Sequence, residues 1–148
     1  MLYVLSLEKS KVNTLSLNRK GRLRSSNMKQ IKINKAYPVI LQLCEFKLPI
    51  KKARSLYHVS SEMREHFEFA ASEERKCVAE CHGEYNQDGT IKFQNQEDFE
   101  KFQRRTDELN NSDLEWDIEP IVLTDSDIGN QCISVSDIRD LKGFVIFE

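Results

Sequence analysis

His58, Glu62 and His66 stand at i, i+4 and i+8 in a stretch with helical patterning, so the three side chains share one face. Two imidazoles and a carboxylate are suitable zinc ligands. A solvated polar stripe uses the same residues at the same spacing, and that is the favoured reading. Cys77, Cys81 and His82 make half of a zinc-like set. No second Cys or His pair follows nearby, and Cys44 and Cys132 would have to be brought in by folding. Free, mostly buried thiols are the simpler account. The run Asp125-Ser126-Asp127-Ile128-Gly129-Asn130 has the alternating acids of a calcium loop, but its Gly is displaced and Ser136 occupies the position where the twelfth-place Glu is needed. Ser134 and Ser136 lie beside acids with no adjacent His, which suits helix caps rather than nucleophiles. Glu73 and Glu74 belong to a solvated helix face. No phosphate-binding loop or dinucleotide glycine pattern occurs, and five glycines are few for a nucleotide fold. The chain therefore reads as non-enzymatic, with no catalytic residue, no cofactor and no metal assigned.

Binding is the remaining chemistry. Lys47, Lys51, Lys52 and Arg54 cluster at the start of the longest helical stretch. They suit contact with nucleic acid or pairing with the acidic C-terminal part of the chain, and the internal pairing is favoured. Salt screens either interaction unless it is partly buried. At the other end, Phe144-Val145-Ile146-Phe147 is an apolar run that must be covered by the chain itself or by a partner. Phe144, Val145, Ile146, Phe147, Lys51, Lys52 and Arg54 are therefore the candidate interaction residues.

The element that must position these groups is Leu48–His82. Pro49 opens it, and no Pro or Gly follows until Gly83. Leu56, Met63, Ala70 and Cys77 recur every seven residues, with Ala53, Ser60, Phe67, Glu74 and Cys81 as a second row. This spacing predicts one helix about 50 Å long with a narrow buried seam. Ser60 and Glu74 interrupt the seam, so its partner must be short or locally polar. Upstream, Met28–Ile33 reads as a strand with alternating Ile, and Asn34 as the cap of a helix over Lys35–Phe46. That helix carries Pro38 in its first turn and points Val39, Ile40, Leu43 and Cys44 inward. Downstream, Asp88-Gly89 marks a turn, Thr90–Gln94 a small strand, and Asn95 the cap of a second helix with Phe99, Phe102, Thr106 and Leu109 on one stripe. Two helices joined by so short a connection pack antiparallel. Leu114–Leu123 is extended, with Pro120 limiting it to an edge strand. Thr124 and Asp125 open a turn, and Ser134 or Ser136 caps one or two helical turns.

The chain has 148 residues, enough for one domain, and 31% of them are charged, which suits an elongated, surface-rich protein. A formal net charge of −2 hides an asymmetry: residues 1–27 hold six basic residues against Glu8, so +5, and the remainder is −7. From Asp107 onward, eleven acids face only Arg139 and Lys142. No secretory signal and no apolar run of membrane-spanning length is read, so the expectation is a reducing cytoplasm with no membrane partner. Residues 1–27 read as a basic, disordered or mis-called extension, because Met28 looks like a natural start and Arg24-Ser25 can be encoded by a purine-rich ribosome-binding core at about the right distance before it. A basic arm for nucleic acid and an inert ordered tail are the alternatives. The domain proper is 28–148, with an acidic tail from about residue 114.

From Met28 the chain resembles small uncharacterised proteins of tailed phages and prophages of Gram-positive bacteria. The resemblance rests on Leu48-Pro49-Ile50-Lys51-Lys52-Ala53, Asp88-Gly89, Glu97-Asp98-Phe99, Ile118-Glu119-Pro120-Ile121 and Ser136-Asp137-Ile138-Arg139-Asp140-Leu141. It implies a setting, the host cytoplasm or particle assembly, and no catalytic residue. The expected fold is mainly α: a long antiparallel helical hairpin with a short N-terminal strand and helix, and minor β structure in the loop and the acidic tail. The expected function is protein–protein interaction in phage assembly, with a phage structural or host protein as partner. The seam also leaves room for a homodimer through the long helix, since the second helix, about half as long, cannot cover all of it. The alternative is inhibition of a host or defence nucleic-acid-binding protein through an acidic, DNA-like surface.

Overall fold

A computed structural model describes residues 28–148. The expectations for residues 1–27 lie outside the described residues. The axis of the fold is α2, Ile50–Glu80. Leu56, Met63, Ala70 and Cys77 are all buried, as the heptad spacing predicts. Ser60 is buried too, and its hydroxyl donates to the Tyr57 carbonyl at 2.9 Å, so the polar break in the seam is satisfied within the helix. Cys81 is the C-cap, and His82 takes the left-handed conformation (φ 55°). The N–H groups of His82 and Gly83 donate to Ala79 and Val78, which closes the helix in a Schellman arrangement. Gly83 is required for space: a Cβ there would lie 3.0 Å from Val78, Ile91 and Phe93 side-chain carbons.

The mainly α architecture is as expected, but the first helix begins earlier than its local signals suggest. Only Met28–Lys29 forms a strand, β1, and α1 runs Gln30–Leu43. Asn34 lies inside α1 and does not cap it, and Pro38 sits in mid-helix. Ile33, Ala36, Tyr37, Ile40 and Leu43 form a continuous helical stripe, all buried. Burying such side chains yields about 1.5–3 kcal/mol each for the large ones, which together outweigh the roughly 3 kcal/mol penalty of an interior proline. Cys44 is the C-cap of this helix and is exposed, contrary to the inward placement expected of it.

α3, Gln96–Asn110, is capped by Asn95, whose side chain accepts from the Asp98 N–H at 2.8 Å. Glu97 and Asp98 in its first turn favour the positive end of the helix dipole. β2 (Glu84–Tyr85) and β3 (Ile91–Lys92) pair antiparallel in the connection. α3 returns along α2: Arg105 pairs with Glu80, and Leu109 lines the same cleft as Ala70 and Ala71. The hairpin is therefore present, but α1, not α3, is the principal partner of α2. At about 1.5 Å per residue, two short helices of 14 and 15 residues jointly match one of 31. The half of the seam beyond the reach of α3 is thus covered by α1, which removes the open apolar strip invoked for a homodimer.

The tail closes the core. β4 (Asp113–Leu114) pairs antiparallel with β1. β5 (Ile121–Leu123) pairs parallel with β6 (Val145–Phe147). Between them lie α4 (Asp125–Ile128), a single helical turn where a simple turn was expected, and α5 (Val135–Asp140). Thr124 and Ser134 each complete a capping box, with Asp127 and Asp137 respectively. Trp116 packs edge-on against Phe144, centroids 5.4 Å apart, in the larger of two apolar clusters. The smaller cluster joins Val78, Cys81, Ile91 and Phe102 at the far end of α2.

Candidate interaction surface

The apolar run at 144–147 divides by strand geometry. In the parallel register Ile121 faces Val145, Val122 faces Ile146, and Leu123 faces Phe147. Alternate pairs point to opposite faces of a strand. Phe144 and Val145 are 2% and 5% exposed, enclosed by the chain's own core, and Phe147 is half-buried. Ile146 is 47% exposed, beside Val122 at 36%. The surface offered by this run is therefore one outward pair, Val122 and Ile146, of which sequence reading singled out only Ile146.

Of the basic cluster, Lys52 reaches the tail. Its ammonium pairs with the Asp127 carboxylate, which also accepts from the Thr124 N–H at 2.9 Å and the Thr124 hydroxyl at 3.0 Å. The Lys52 contact and then the Thr124 N–H hold the Asp127 carboxyl below the usual carboxylate range. Lys47, Lys51 and Arg54 are exposed on the surface. Among the described residues, ion pairing between this basic cluster and the tail thus involves one lysine and one acid.

The acids of the tail fall into a pattern. From 113 to 119 exposure alternates: Asp113, Glu115, Asp117 and Glu119 are exposed, whereas Leu114 and Ile118 are half-buried and Trp116 is buried. That period of two places the four carboxylates on one side of an extended chain. Asp113 pairs with Lys29 at 2.8 Å. Among the described residues, Glu115, Asp117 and Glu119 make no ion pair. The signal was present in the sequence as the complement of the apolar residues 114, 116 and 118.

The metal-type residues stay apart or enter other roles. Among the described residues no group of three or more His, Cys, Asp or Glu side chains is placed to hold a metal ion. Cys77 and Cys81 are buried, Cys44 and Cys132 exposed. The His66 carbonyl accepts from the Gln30 side-chain amide at 3.0 Å. Gln30 was not singled out by its sequence, yet it is fully buried and also donates to Asn34 at 2.8 Å. Its Oε1 has no hydrogen-bond partner. Asn34 in turn faces Asn110 at 3.4 Å, beside a half-open cleft of about 410 Å³ between α1, α2 and α3. Phe67, Ala70, Ala71 and Leu109 give that cleft its apolar wall.

Comparison of the chain with protein-family models, with curated proteins and with solved structures returns no match.

Proposed function

We propose that the chain is a non-enzymatic phage or prophage protein that acts by binding another protein during particle assembly in the host cytoplasm. The observation that carries this reading is the outward pair Val122 and Ile146, set in register on a two-stranded sheet whose opposite face completes the core. Two aliphatic side chains fixed side by side on paired strands form a pre-organised apolar contact, which loses little entropy on binding. The resemblance of residues 28–148 to phage proteins supplies the setting. The test is affinity capture with the tagged full chain from an infected or induced host, read by mass spectrometry. Capsid, portal or tail proteins, lost when Val122→Asp and Ile146→Asp are combined, are the expected catch.

A second reading has its own observation. Glu115, Asp117 and Glu119 form an exposed acidic row that is not neutralised by Lys47–Arg54. Such a row suits a DNA-like inhibitor of a host or defence nucleic-acid-binding protein. Capture of a host polymerase or nuclease that added DNA displaces favours this alternative over assembly.

A further inference from the structure

The two short helices meet over the middle of α2, and the junction is not filled. Gln30, at the start of α1, donates its backbone N–H to the carbonyl of Ser112, just past the end of α3, at 3.0 Å. Leu56 and Met63 fill the seam of α2 in the larger core cluster. At the junction the seam residue is Ala70, with Ala71 beside it, and both are short. They leave the half-open cleft of about 410 Å³, a volume within the range of small-ligand sites.

The polar side of the cleft has a fixed direction. The His66 carbonyl can only accept, so the atom of the Gln30 amide that faces it at 3.0 Å is the nitrogen. The same nitrogen donates to Asn34 Oδ1 at 2.8 Å, and this direction holds although Gln30 Oε1 is left without a partner. Asn34 therefore turns its Nδ2 toward Asn110, whose Oδ1 lies 3.4 Å away. That contact is longer than a good hydrogen bond. The chain of amides thus ends with N–H donors on Asn34 and Asn110 at the cleft wall. Thr106 lines the same wall one turn before Asn110 on α3. Its hydroxyl proton goes to the Phe102 carbonyl at 3.0 Å, which leaves the oxygen to accept.

Two donors and an acceptor on adjoining side chains complement an imide edge, in which two carbonyls flank an N–H. Phe67, half-buried in the opposite wall, offers an aromatic surface to a flat ring. Glu74 and Arg75 add one charge of each sign to the lining, which suits an uncharged ring. We propose that this cleft binds a uracil- or thymine-type base, with its imide edge on Asn34, Asn110 and Thr106 and its ring against Phe67. The site shares no residue with the Val122–Ile146 contact, and the two readings are tested separately.

The test titrates nucleosides into the full chain labelled with nitrogen-15 and follows the side-chain amide signals of Asn34 and Asn110. Uridine shifts both saturably. Cytidine places a donor where uridine has a carbonyl, and 3-methyluridine lacks the imide N–H. Each binds at least about tenfold more weakly, because it leaves polar groups of the wall unpaired. Asn110→Asp is isosteric, keeps the acceptor for Asn34 and removes the donor. It lowers uridine affinity by about tenfold or more and leaves the melting temperature unchanged. Ala71→Leu fills the cleft from the α2 side and abolishes the shifts. Tighter binding of oligothymidylate than of thymidine places the base in a nucleic-acid strand, and equal affinities place it in a free nucleoside. No saturable shift at millimolar uridine overturns the proposal. So does equal binding of the three nucleosides, or undiminished uridine binding by both variants.

Discussion

Asp127 is the residue that ties the tail to the long helix. Its carboxylate caps α4 through Thr124 and pairs with Lys52 of α2. Because these contacts hold its folded-state pKa below the unfolded value, their stabilisation is complete above the ordinary carboxylate range, near ~3.9. It is lost as pH falls through the lowered value. The melting temperature of Asp127→Asn should therefore lie below that of the unaltered chain at pH 7, and the gap should close in acid. A gap that stays constant down to pH 2 contradicts the assignment. The thiols offer a second check at this scale. Cys44 and Cys132 are exposed, while Cys77 and Cys81 are buried. Burial also pushes the Cys77 thiol up, against the opposing pull of Arg105. A thiol reagent at pH 8 should label two cysteines quickly and the other two only in denaturant. Four fast thiols would mean that the α2–α3 end is open. The heptad rows placed Cys77 and Cys81 on the buried seam, and they are buried; Cys44, read as inward, is exposed because α1 stops at Leu43, a tertiary outcome.

At the scale of elements, α2 was the most legible part of the chain, because its heptad rows, its proline entry and Gly83 agree. α1 was the least. Asn34 and Pro38 are strong local signals for a helix start, and Ile31 and Ile33 alternate as in a strand. The competing stripe Ile33–Ala36–Ile40–Leu43 prevailed because α2 offers it a surface to bury against. That surface makes unequal demands on neighbouring positions. Met63 is fully buried in the larger cluster, whereas Phe67 is half-buried and tilts against Tyr37 with centroids 4.8 Å apart. Met63→Asp should cost about 3–5 kcal/mol, and Phe67→Asp about 1–3 kcal/mol. Urea melts measure both. Equal costs, or none at Met63, would mean that α1 does not pack where it is placed.

At the scale of the whole molecule, one long helix carries two short ones end to end, and an acidic tail seals the larger core. The tail was legible as extended and partly edge-like, since Pro120 and the alternation of Leu114, Trp116 and Ile118 say so. The parallel pairing of β5 with β6 was not, because it joins residues separated by two short helices and carries no local turn signal. Nor did the apolar run at 144–147 reveal that Phe144 and Val145 face inward and Ile146 outward. A three-residue strand has two possible phases, and only its register against β5 chooses between them. The surface left by that register, Val122 with Ile146, is where the proposed partner contact sits. The most direct measurement is particle yield after induction of a prophage that encodes Val122→Asp with Ile146→Asp, counted by electron microscopy beside the unaltered gene. If this pair is the contact, phage DNA replication stays normal, the melting temperature is unchanged and assembled particles are lost. A full yield of particles from the double variant would contradict it.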